Sequence, residues 1–248
     1  MSTLVNKIAL VTGGSRGIGA AIVRKLANDG ADVAFTYISS KEKALALVSE
    51  IEAIGRKAFA IQADSADTKA VENAVEETVK TFGKLDILVN SAGVFVTGNV
   101  DSTALDIEAL QRQFAVNVTG VAAAVRAASQ HLGEGGRIIT IGSVLGTSVA
   151  FPGLADYAAT KGAVAIYTRG WARDLGKKGI TVNNVQPGPI DTEMNPADGD
   201  MAAHFSTMTA LGRYGKVEEV AAAVAFLASP QASYITGAIL NVDGGIGA

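Results

Sequence analysis

Three side chains in the second half of the sequence, Ser143, Tyr157 and Lys161, could together move a proton. Tyr157 and Lys161 are four residues apart, so on a helix they share a face and the ammonium can lie near the phenol. A free phenol has a pKa of about 10, and a nearby cation favours the ionised form and lowers that pKa. A serine hydroxyl can donate a hydrogen bond to an oxygen on which negative charge builds. These residue types therefore predict acid–base chemistry at an oxygen atom, with Tyr157 as the proton donor.

The spacing of this pair proves little by itself, because Tyr37 and Lys41 repeat it. Only Tyr157 opens a long helical pattern and follows Ser143, which stands at the end of a predicted strand. Taken alone, Ser143 is equally well explained as a cap at that strand end. The three residues together favour the catalytic interpretation.

A second group of residues, near the start of the chain, has the pattern of a phosphate-binding turn. The apolar run Ile8–Val11 predicts a buried strand, and Gly13, Gly17 and Gly19 follow it. Apolar residues then recur at helical spacing from Ile18 to Leu26. Glycine lets the backbone approach a pyrophosphate, and the N–H groups that begin the helix can bind it. The extra residue between the first two glycines departs from the usual dinucleotide fingerprint.

These residues are placed by strand-like runs that alternate with helical patterns along the chain. The predicted strands are Ile8–Val11, Asp32–Tyr37, Lys57–Ile61, Leu85–Val89, Arg137–Ile141, Thr181–Val185 and Ile239–Val242. The alternation predicts a doubly wound α/β fold of Rossmann type, in which a parallel seven-stranded sheet carries helices on both faces. Such sheets bind ligands beyond the carboxyl ends of their strands. The residues that closely follow predicted strands, and should meet in one crevice, are Gly13, Asp64, Asn90, Ser143 and Pro187.

Length and composition restrict the possible classes of protein. A chain of 248 residues without a low-complexity tract predicts one domain over 1–248. The net charge of −3, with no basic run longer than Lys177–Lys178, argues against nucleic-acid binding. With no Cys and two isolated His, we expect no disulfide and no metal site. Met1–Lys7 shows no leader pattern and the apolar run Val220–Ala228 is too short to cross a bilayer, so we expect a cytoplasmic protein without membrane contact.

The segment 188–213 is the longest one without a place in the predicted sheet. It is polar, with scattered apolar residues that include Met194, Met201 and Phe205. A surface loop with a short helix would account for it, but its position above the crevice favours a substrate lid. We expect these three side chains to include apolar contacts to the substrate.

The ordered set of motifs resembles the short-chain dehydrogenase/reductase family, in its single-domain branch of about this length. The resemblance covers nearly the whole chain. It is carried by Thr12–Gly19, Asp64, Asn90–Gly93, Asn117, Ser143, Tyr157–Lys161, Pro187, Gly188 and Thr192. One departure is Ser91, which stands where many members have a second Asn.

The resemblance implies hydride transfer between a nicotinamide cofactor and a carbonyl carbon. In reduction Tyr157 would be the acid, Ser143 would stabilise the carbonyl oxygen, and Lys161 would also hold the nicotinamide ribose. Asn117 would open its helix locally, so that a backbone group holds a water that connects Lys161 to solvent. Alternatively, Asn117 is a cap between two helical pieces.

The resemblance also implies a set of cofactor contacts. They are Gly13, Ser15, Arg16, Ile18, Tyr37, Ser39, Ser40, Asp64, Ser65, Asn90, Ala92, Gly93, Tyr157, Lys161, Pro187, Gly188, Ile190 and Thr192. Asp64 would meet the adenine edge, although an acid here could also be the N-cap of a helix, as could the nearby Asp67.

The end of the second predicted strand indicates a preference for NADPH, with NADH as the second choice. Enzymes that select NADH place an acid about 20 residues beyond the glycine turn. Tyr37 occupies that place, and no carboxylate follows before Glu42. Ser39–Lys41 supply donors for a 2′-phosphate, and Arg16 can reach the same side. The two cations could instead be ordinary solvated surface charges.

Two other functions stay open beside an NADPH-dependent carbonyl reductase or alcohol dehydrogenase with a small-molecule substrate. The 3-oxoacyl carrier-protein reductases share the pattern, but residues 129–136 offer no Lys or Arg to an acidic carrier protein. Arg173 and Lys177–Lys178 partly remain for that role. Residues 35–41 and 191–199 resemble a subgroup that binds a cyclic dinucleotide and regulates biofilm dispersal. The intact catalytic set favours an enzyme.

Two Ala-rich helical stretches, 122–128 and 158–165, would offer a flat apolar face that a monomer leaves exposed to water. In the family these two helices form a dimer interface. The resemblance therefore implies a homo-oligomer, built as a tetramer from two dimers.

Overall fold

Seven parallel strands form one sheet in the computed structural model, which describes residues 3–248. The strands are β1 (Ile8–Thr12), β2 (Asp32–Tyr37), β3 (Ala58–Gln62), β4 (Ile87–Asn90), β5 (Arg137–Ile141), β6 (Thr181–Pro187) and β7 (Ile239–Val242). Their order across the sheet is β3-β2-β1-β4-β5-β6-β7, and every neighbouring pair is parallel. The chain changes direction across the sheet between β1 and β4, which is where such folds open a crevice. The predicted Rossmann-type fold is confirmed.

Helices connect the strands and cover both faces of the sheet. They are α1 (Gly17–Asn28), α2 (Lys41–Ala53), α3 (Thr68–Phe82), α4 (Ile107–Phe114), α5 (Val121–Ala128), α6 (Ala155–Leu175), α7 (Ala202–Met208) and α8 (Val217–Ala228). A π-helical turn, Ala115–Gly120, joins α4 to α5, and 3₁₀ turns occupy Val144–Gly146, Gly176–Lys178 and Pro230–Ala232. One face of the sheet is covered by α1, α2 and α8, and the other by α3, α5 and α6.

The central strands are apolar at nearly every position because both of their faces are buried. In β1, Ala9 and Val11 pack into the core on one face, whereas Leu10 packs into the core on the other. Parallel sheets covered by helices on both sides typically show such continuous apolar runs. The strand ends that carry the polar residues are therefore fixed by a core on each side.

The predicted strands all occur, with small differences at their ends. The fourth was expected to begin at Leu85, but β4 begins at Ile87, and the carboxylate of the preceding Asp86 accepts a hydrogen bond from the Ile8 N–H at 2.8 Å. The sixth extends two residues further than expected, to Pro187, since β7 pairs with it up to Val242. This extension places Pro187 and the following glycine directly at the crevice.

The Ala-rich stretches do not form the exposed apolar face that we expected. Ala122, Ala124, Ala158 and Ala165 are buried inside this chain. A methyl side chain lets a helix approach the elements beneath it closely, so these alanines serve packing within the fold. The solvent-facing side of α6 instead presents larger residues, among them Ile166, which is 65% exposed.

Candidate active site

A cavity of about 980 Å³ lies at the carboxyl ends of the strands. Its wall brings together most of the residues that the sequence predicted. Those that line it are Gly13, Ser15, Arg16, Ile18, Tyr37, Ser39, Ser40, Ser65, Ala92, Gly93, Ser143, Tyr157, Lys161, Pro187, Gly188, Ile190 and Thr192. Asp64, Asn90 and Asn117 are absent from that wall. The volume is large for a pocket of this kind and suits an extended ligand.

The glycine turn between β1 and α1 leaves room for a phosphate group. Gly13 has a φ of +66°, a conformation that favours glycine, and an added Cβ would come within 2.8 Å of the Ala92 Cα. A Cβ on Gly19 would overlap the Gly13 carbonyl oxygen. The helix begins at Gly17, so the free N–H groups and positive dipole end of α1 lie at the turn. This backbone arrangement fits the pyrophosphate of a dinucleotide.

Thr12, at the end of β1, holds the neighbouring wall in place. Its hydroxyl oxygen accepts hydrogen bonds from the backbone N–H groups of Ser91 and Ala92, at 3.1 and 3.2 Å. The sequence motif contained Thr12, but its type alone did not reveal this role. The glycine turn and the turn after β4 are thereby fixed to each other.

Ser143, Tyr157 and Lys161 meet on the opposite wall. Ser143 follows β5; its Oγ accepts a hydrogen bond from the Leu145 N–H at 3.2 Å, and its hydroxyl hydrogen-bonds the Tyr157 phenol. Tyr157 and Lys161 lie in the first two turns of α6. The Lys161 Nζ lies 5.7 Å from the centre of the Tyr157 ring and donates to the Ile141 carbonyl oxygen at 3.0 Å. The predicted proton-transfer set is thus assembled in space.

The electrostatics of this set differ from our expectation that Lys161 lowers the pKa of the phenol. Burial raises the pKa of Tyr157 to about 12, and the Ser143 hydroxyl offsets this only partly. Burial likewise lowers the pKa of the Lys161 ammonium to about 8. Removal of a group from water disfavours its charged form, which is the phenolate for Tyr157 and the ammonium for Lys161. The Lys161 ammonium donates to Ile141, and its attraction for a phenolate does not offset the burial of Tyr157. In the protein alone, Tyr157 is a well-protonated acid.

Asn117 lies at the third position of the π-helical turn and is fully buried. Its side-chain amide bonds both backbone groups of Val94, accepting from the N–H and donating to the carbonyl oxygen, each at 2.9 Å. It also donates to the Thr160 hydroxyl, which in turn donates to the Tyr157 carbonyl oxygen at 2.7 Å. The helix is locally widened here, as expected, and it continues through Asn117 instead of being capped there.

Asp64 and Asn90 do not line the cavity, and their side chains have partners within the protein. The Asp64 carboxylate accepts hydrogen bonds from the Arg112 guanidinium at 2.9 and 3.1 Å and from the Ala66 N–H at 2.9 Å. Asp67, not Asp64, caps α3. The Asn90 amide is buried and donates to the Thr140 hydroxyl at 3.3 Å. Asp64 and Asn90 therefore stay predictions as cofactor contacts, while the residues next to them, Ser65 and Ser91, line the cavity.

The far end of the cavity is apolar. Met194, Met201 and Phe205 line it, as the sequence suggested. Two aromatic residues were missed, Phe95 and Phe151. The Phe95 ring packs edge-on against the ring of Tyr157 with centroids 4.7 Å apart, and Phe151 packs against Phe205 at 5.9 Å. No spacing rule identifies these two, because they lie in segments without regular structure.

The near end, beyond the glycine turn, is polar and charged. Arg16, Ser39 and Ser40 line the cavity, but Lys41 does not. The carboxylate of Glu193 bonds Arg16 and also Lys43, a residue that sequence reasoning had passed over. In the part of the chain that is described, 3–248, no group of three potential metal-ligating side chains occurs, and no helix is long and apolar enough to cross a membrane.

Known proteins match this chain over nearly its whole length. A family model described as Enoyl-(Acyl carrier protein) reductase matches residues 13–247. The crystal structure of a short chain dehydrogenase from Burkholderia cenocepacia J2315 in complex with NADP is 54% identical, covers 99% of this chain and 100% of that one, and superposes with a TM-score of 0.97. The chain belongs to the short-chain dehydrogenase/reductase family. It is an oxidoreductase of that family.

Two curated relatives illustrate the range of functions within this dehydrogenase/reductase family. A cyclic-di-GMP-binding biofilm dispersal mediator protein of Escherichia coli (strain K12) is 46% identical over 248 residues and covers 100% of both chains. A 3-oxoacyl-[acyl-carrier-protein] reductase of Staphylococcus aureus (strain Mu50) is 42% identical and covers 98% of both chains. Membership alone therefore leaves the substrate to be argued from the site.

Proposed function

We propose that this dehydrogenase/reductase uses NADPH to reduce the carbonyl group of a ketone or aldehyde, or catalyses the reverse oxidation of an alcohol. One domain, 1–248, would carry both sites, with 188–213 as the substrate lid. The observation that carries the proposal is that Ser143, Tyr157 and Lys161 share one cavity with the glycine turn. Proton transfer and phosphate binding are thereby connected through a single space.

The catalytic roles follow from the geometry of the side chains. When bound, NADPH supplies the hydride that forms the new C–H bond. Tyr157 donates its proton to the carbonyl oxygen, and the Ser143 hydroxyl, which hydrogen-bonds the phenol in the protein alone, donates to the same oxygen. Lys161, anchored at one N–H by Ile141, keeps its remaining donors for the ribose hydroxyls. Asn117 is a positioning residue, because it connects Val94 to the helix that carries the tyrosine.

The cofactor preference is supported by the side chains at the end of β2. Tyr37, where an NADH-selective enzyme would have an acid, lines the cavity together with Ser39, Ser40 and Arg16. The similar Burkholderia protein was crystallised with NADP. NADH, which lacks the 2′-phosphate, would be the second choice.

The substrate class is supported by the apolar end of the cavity. Phe95, Phe151, Met194, Met201 and Phe205 line the cavity, and Phe95 packs against the Tyr157 ring. Such a lining favours a carbonyl compound with a bulky apolar or aromatic substituent, because burying apolar surface contributes about 25 cal/mol per Å². A small hydrophilic ketone would leave much of this surface wet.

The assembly we propose is a homotetramer. On α6, Ile166 and Tyr167 face solvent, and the Tyr167 ring stacks on Trp171 with centroids 4.6 Å apart. An apolar and aromatic surface of this kind is typical of subunit contacts. Sedimentation of a stable monomer at micromolar concentration would contradict the proposal.

The test is NADPH oxidation with an aryl ketone, a small hydrophilic ketone and a 3-oxoacyl thioester, for the wild type and two variants. Tyr157→Phe should lower turnover by about two to four orders of magnitude, the usual contribution of a positioned acid. Tyr167→Phe, a change of the same kind on the outer face of the same helix, should stay within about twofold. Equal turnover in wild type and Tyr157→Phe would remove Tyr157 from the mechanism.

The same experiment separates the two alternatives. A preference for the 3-oxoacyl thioester would favour a 3-oxoacyl carrier-protein reductase. The likeness to the Escherichia coli protein motivates calorimetry with cyclic di-GMP. Binding of that dinucleotide, without NADPH oxidation on any carbonyl compound, would favour a regulator over an enzyme.

A further inference from the structure

The carboxylate of Glu193 lies between two cations that come from separate elements. One oxygen bonds the Arg16 Nη1 at 3.0 Å, and the other bonds the Lys43 Nζ at 2.6 Å. Arg16 belongs to the glycine turn, Lys43 to the first turn of α2, and Glu193 to the segment 188–213. Three parts of the chain that are distant in sequence are therefore joined at one anion.

Under the proposed function, this junction is at the side of the cavity that we expect to hold the 2′-phosphate of the adenosine ribose, with Lys43 just outside the lining. Arg16 and Glu193 line the cavity, beside Ser39 and Ser40. Ser40 precedes α2, and within residues 3–248 its side chain makes no cap hydrogen bond to that helix, so its hydroxyl can bond a ligand. The corner thus offers a guanidinium and two hydroxyls, with one carboxylate already bound to the guanidinium.

A carboxylate and a phosphate seek the same donors. A phosphate monoester carries a charge of about −1.5 to −2 at pH 7, and Arg pairs with either anion through the same N–H groups. We propose that Glu193 is a cofactor-specificity residue that competes with the 2′-phosphate of NADPH for Arg16 and Lys43. This proposal rests on the proposed function. NADH has a hydroxyl at that position and would not compete with the carboxylate.

The competing anion stays charged under ordinary conditions. Hydrogen bonds from Lys43 and Arg16 hold the pKa of the Glu193 carboxyl below its usual value. Both ion pairs are exposed, with more than half of each side chain accessible to solvent. Exposed pairs are weak and are screened by salt, so the competition should change affinity by about two- to tenfold, and by less in concentrated salt.

The experiment is calorimetric titration of the cofactor-free protein with NADP⁺ and with NAD⁺, so that binding is read without turnover. Glu193→Gln should bind NADP⁺ about two- to tenfold more tightly than the wild type, while its NAD⁺ affinity changes by less than about twofold. Lys43→Gln should bind NADP⁺ more weakly. The gain in Glu193→Gln should shrink when the titration is repeated at high salt.

The matched control is Glu42→Gln, which removes a neighbouring exposed carboxylate. Glu42 lies next to Lys43 in the first turn of α2, and within residues 3–248 it forms no ion pair. The NADP⁺ affinity of Glu42→Gln should stay within about twofold of the wild type, because Glu42 does not compete with the 2′-phosphate for Arg16 or Lys43. An equal gain in Glu42→Gln would show that long-range charge alone explains the effect and would overturn the proposal.

Other outcomes overturn different statements. Weaker NADP⁺ binding in Glu193→Gln would mean that the carboxylate orients Arg16 for the phosphate, and the proposed competition would be wrong. Equal gains for NADP⁺ and NAD⁺ would point to the whole segment 188–213 and also contradict it. If the wild type and Glu193→Gln bind NADP⁺ with the same affinity, this proposal is refuted and the proposed function is not. A wild type that binds neither nucleotide refutes the proposed function as well.

Discussion

The ionisation of Tyr157 in the cofactor-free protein is open to direct measurement. With a pKa of about 12, roughly one molecule in ten thousand carries the phenolate at pH 8, and forming it there costs about 5 kcal/mol. The measured quantity is the difference in ultraviolet tyrosinate absorbance between the wild type and Tyr157→Phe. We expect this difference to stay flat up to about pH 10 and to rise only above it. The subtraction removes the other four of the five tyrosines.

The same pKa shifts fix the pH dependence of stability. The Tyr157 pKa is raised above its unfolded value of 10.0, so its contribution is complete below pH 10 and is lost as the pH rises toward 12. The Lys161 pKa is lowered from 10.5 to about 8, so the folded protein releases that proton first. The free energy of unfolding should therefore rise between pH 8 and 10, before the loss of the Tyr157 contribution opposes it, and Lys161→Met should abolish this rise. A difference titration of Tyr157 with a midpoint near pH 7 would refute the dominance of desolvation.

Three further predictions concern the cofactor, the lid and the support of the catalytic helix. Tyr37→Asp should lower the ratio of kcat/KM for NADPH to that for NADH, because a carboxylate repels the 2′-phosphate. A wild type that already has the higher kcat/KM with NADH would contradict the cofactor preference that we infer from the end of β2. Replacement of Met194, Met201 and Phe205 together by Ser should raise KM for an aryl ketone more than for a small hydrophilic ketone. If KM and the preference between the two ketones stay unchanged, the segment 188–213 is not a substrate lid. Asn117→Ala should lower the free energy of unfolding by about 1–3 kcal/mol, because the Val94 N–H and carbonyl lose their buried partner. The same variant should have a lower kcat. Calorimetric unfolding measures the first effect and initial rates measure the second.

Much of the fold could be predicted from the sequence because its signals are local. The apolar run that becomes β1, the glycines after it and the helical spacing that becomes α1 each act within a few residues. The parallel order then follows from alternation and from right-handed crossovers. The catalytic set was accessible for the same reason, since Tyr157 and Lys161 are close in sequence and Ser143 follows a recognisable strand.

The rest depends on side chains that meet across long stretches of chain. Asp64 pairs with Arg112, 48 residues away, and Glu193 pairs with Arg16, 177 residues away. No pattern along the sequence shows which of several exposed charges will find each other. The sequence also predicted a lowered pKa for Tyr157, whereas burial raises it. The spacing shows that a cation is near the phenol, but it does not show how deeply both groups are buried.

Under the proposed function, the parts of the fold that do chemistry are separate from the parts that choose a substrate. Ser143 is fixed at the end of β5, and Tyr157 and Lys161 lie on the longest helix, so their positions are set by the core. The apolar contacts come instead from segments outside the sheet and from α7, which has only seven residues. Changes in such segments leave the core and the proton donor in place. A scaffold of this kind can therefore keep one reaction while its substrate, and through Glu193 its cofactor preference, changes by a few surface substitutions.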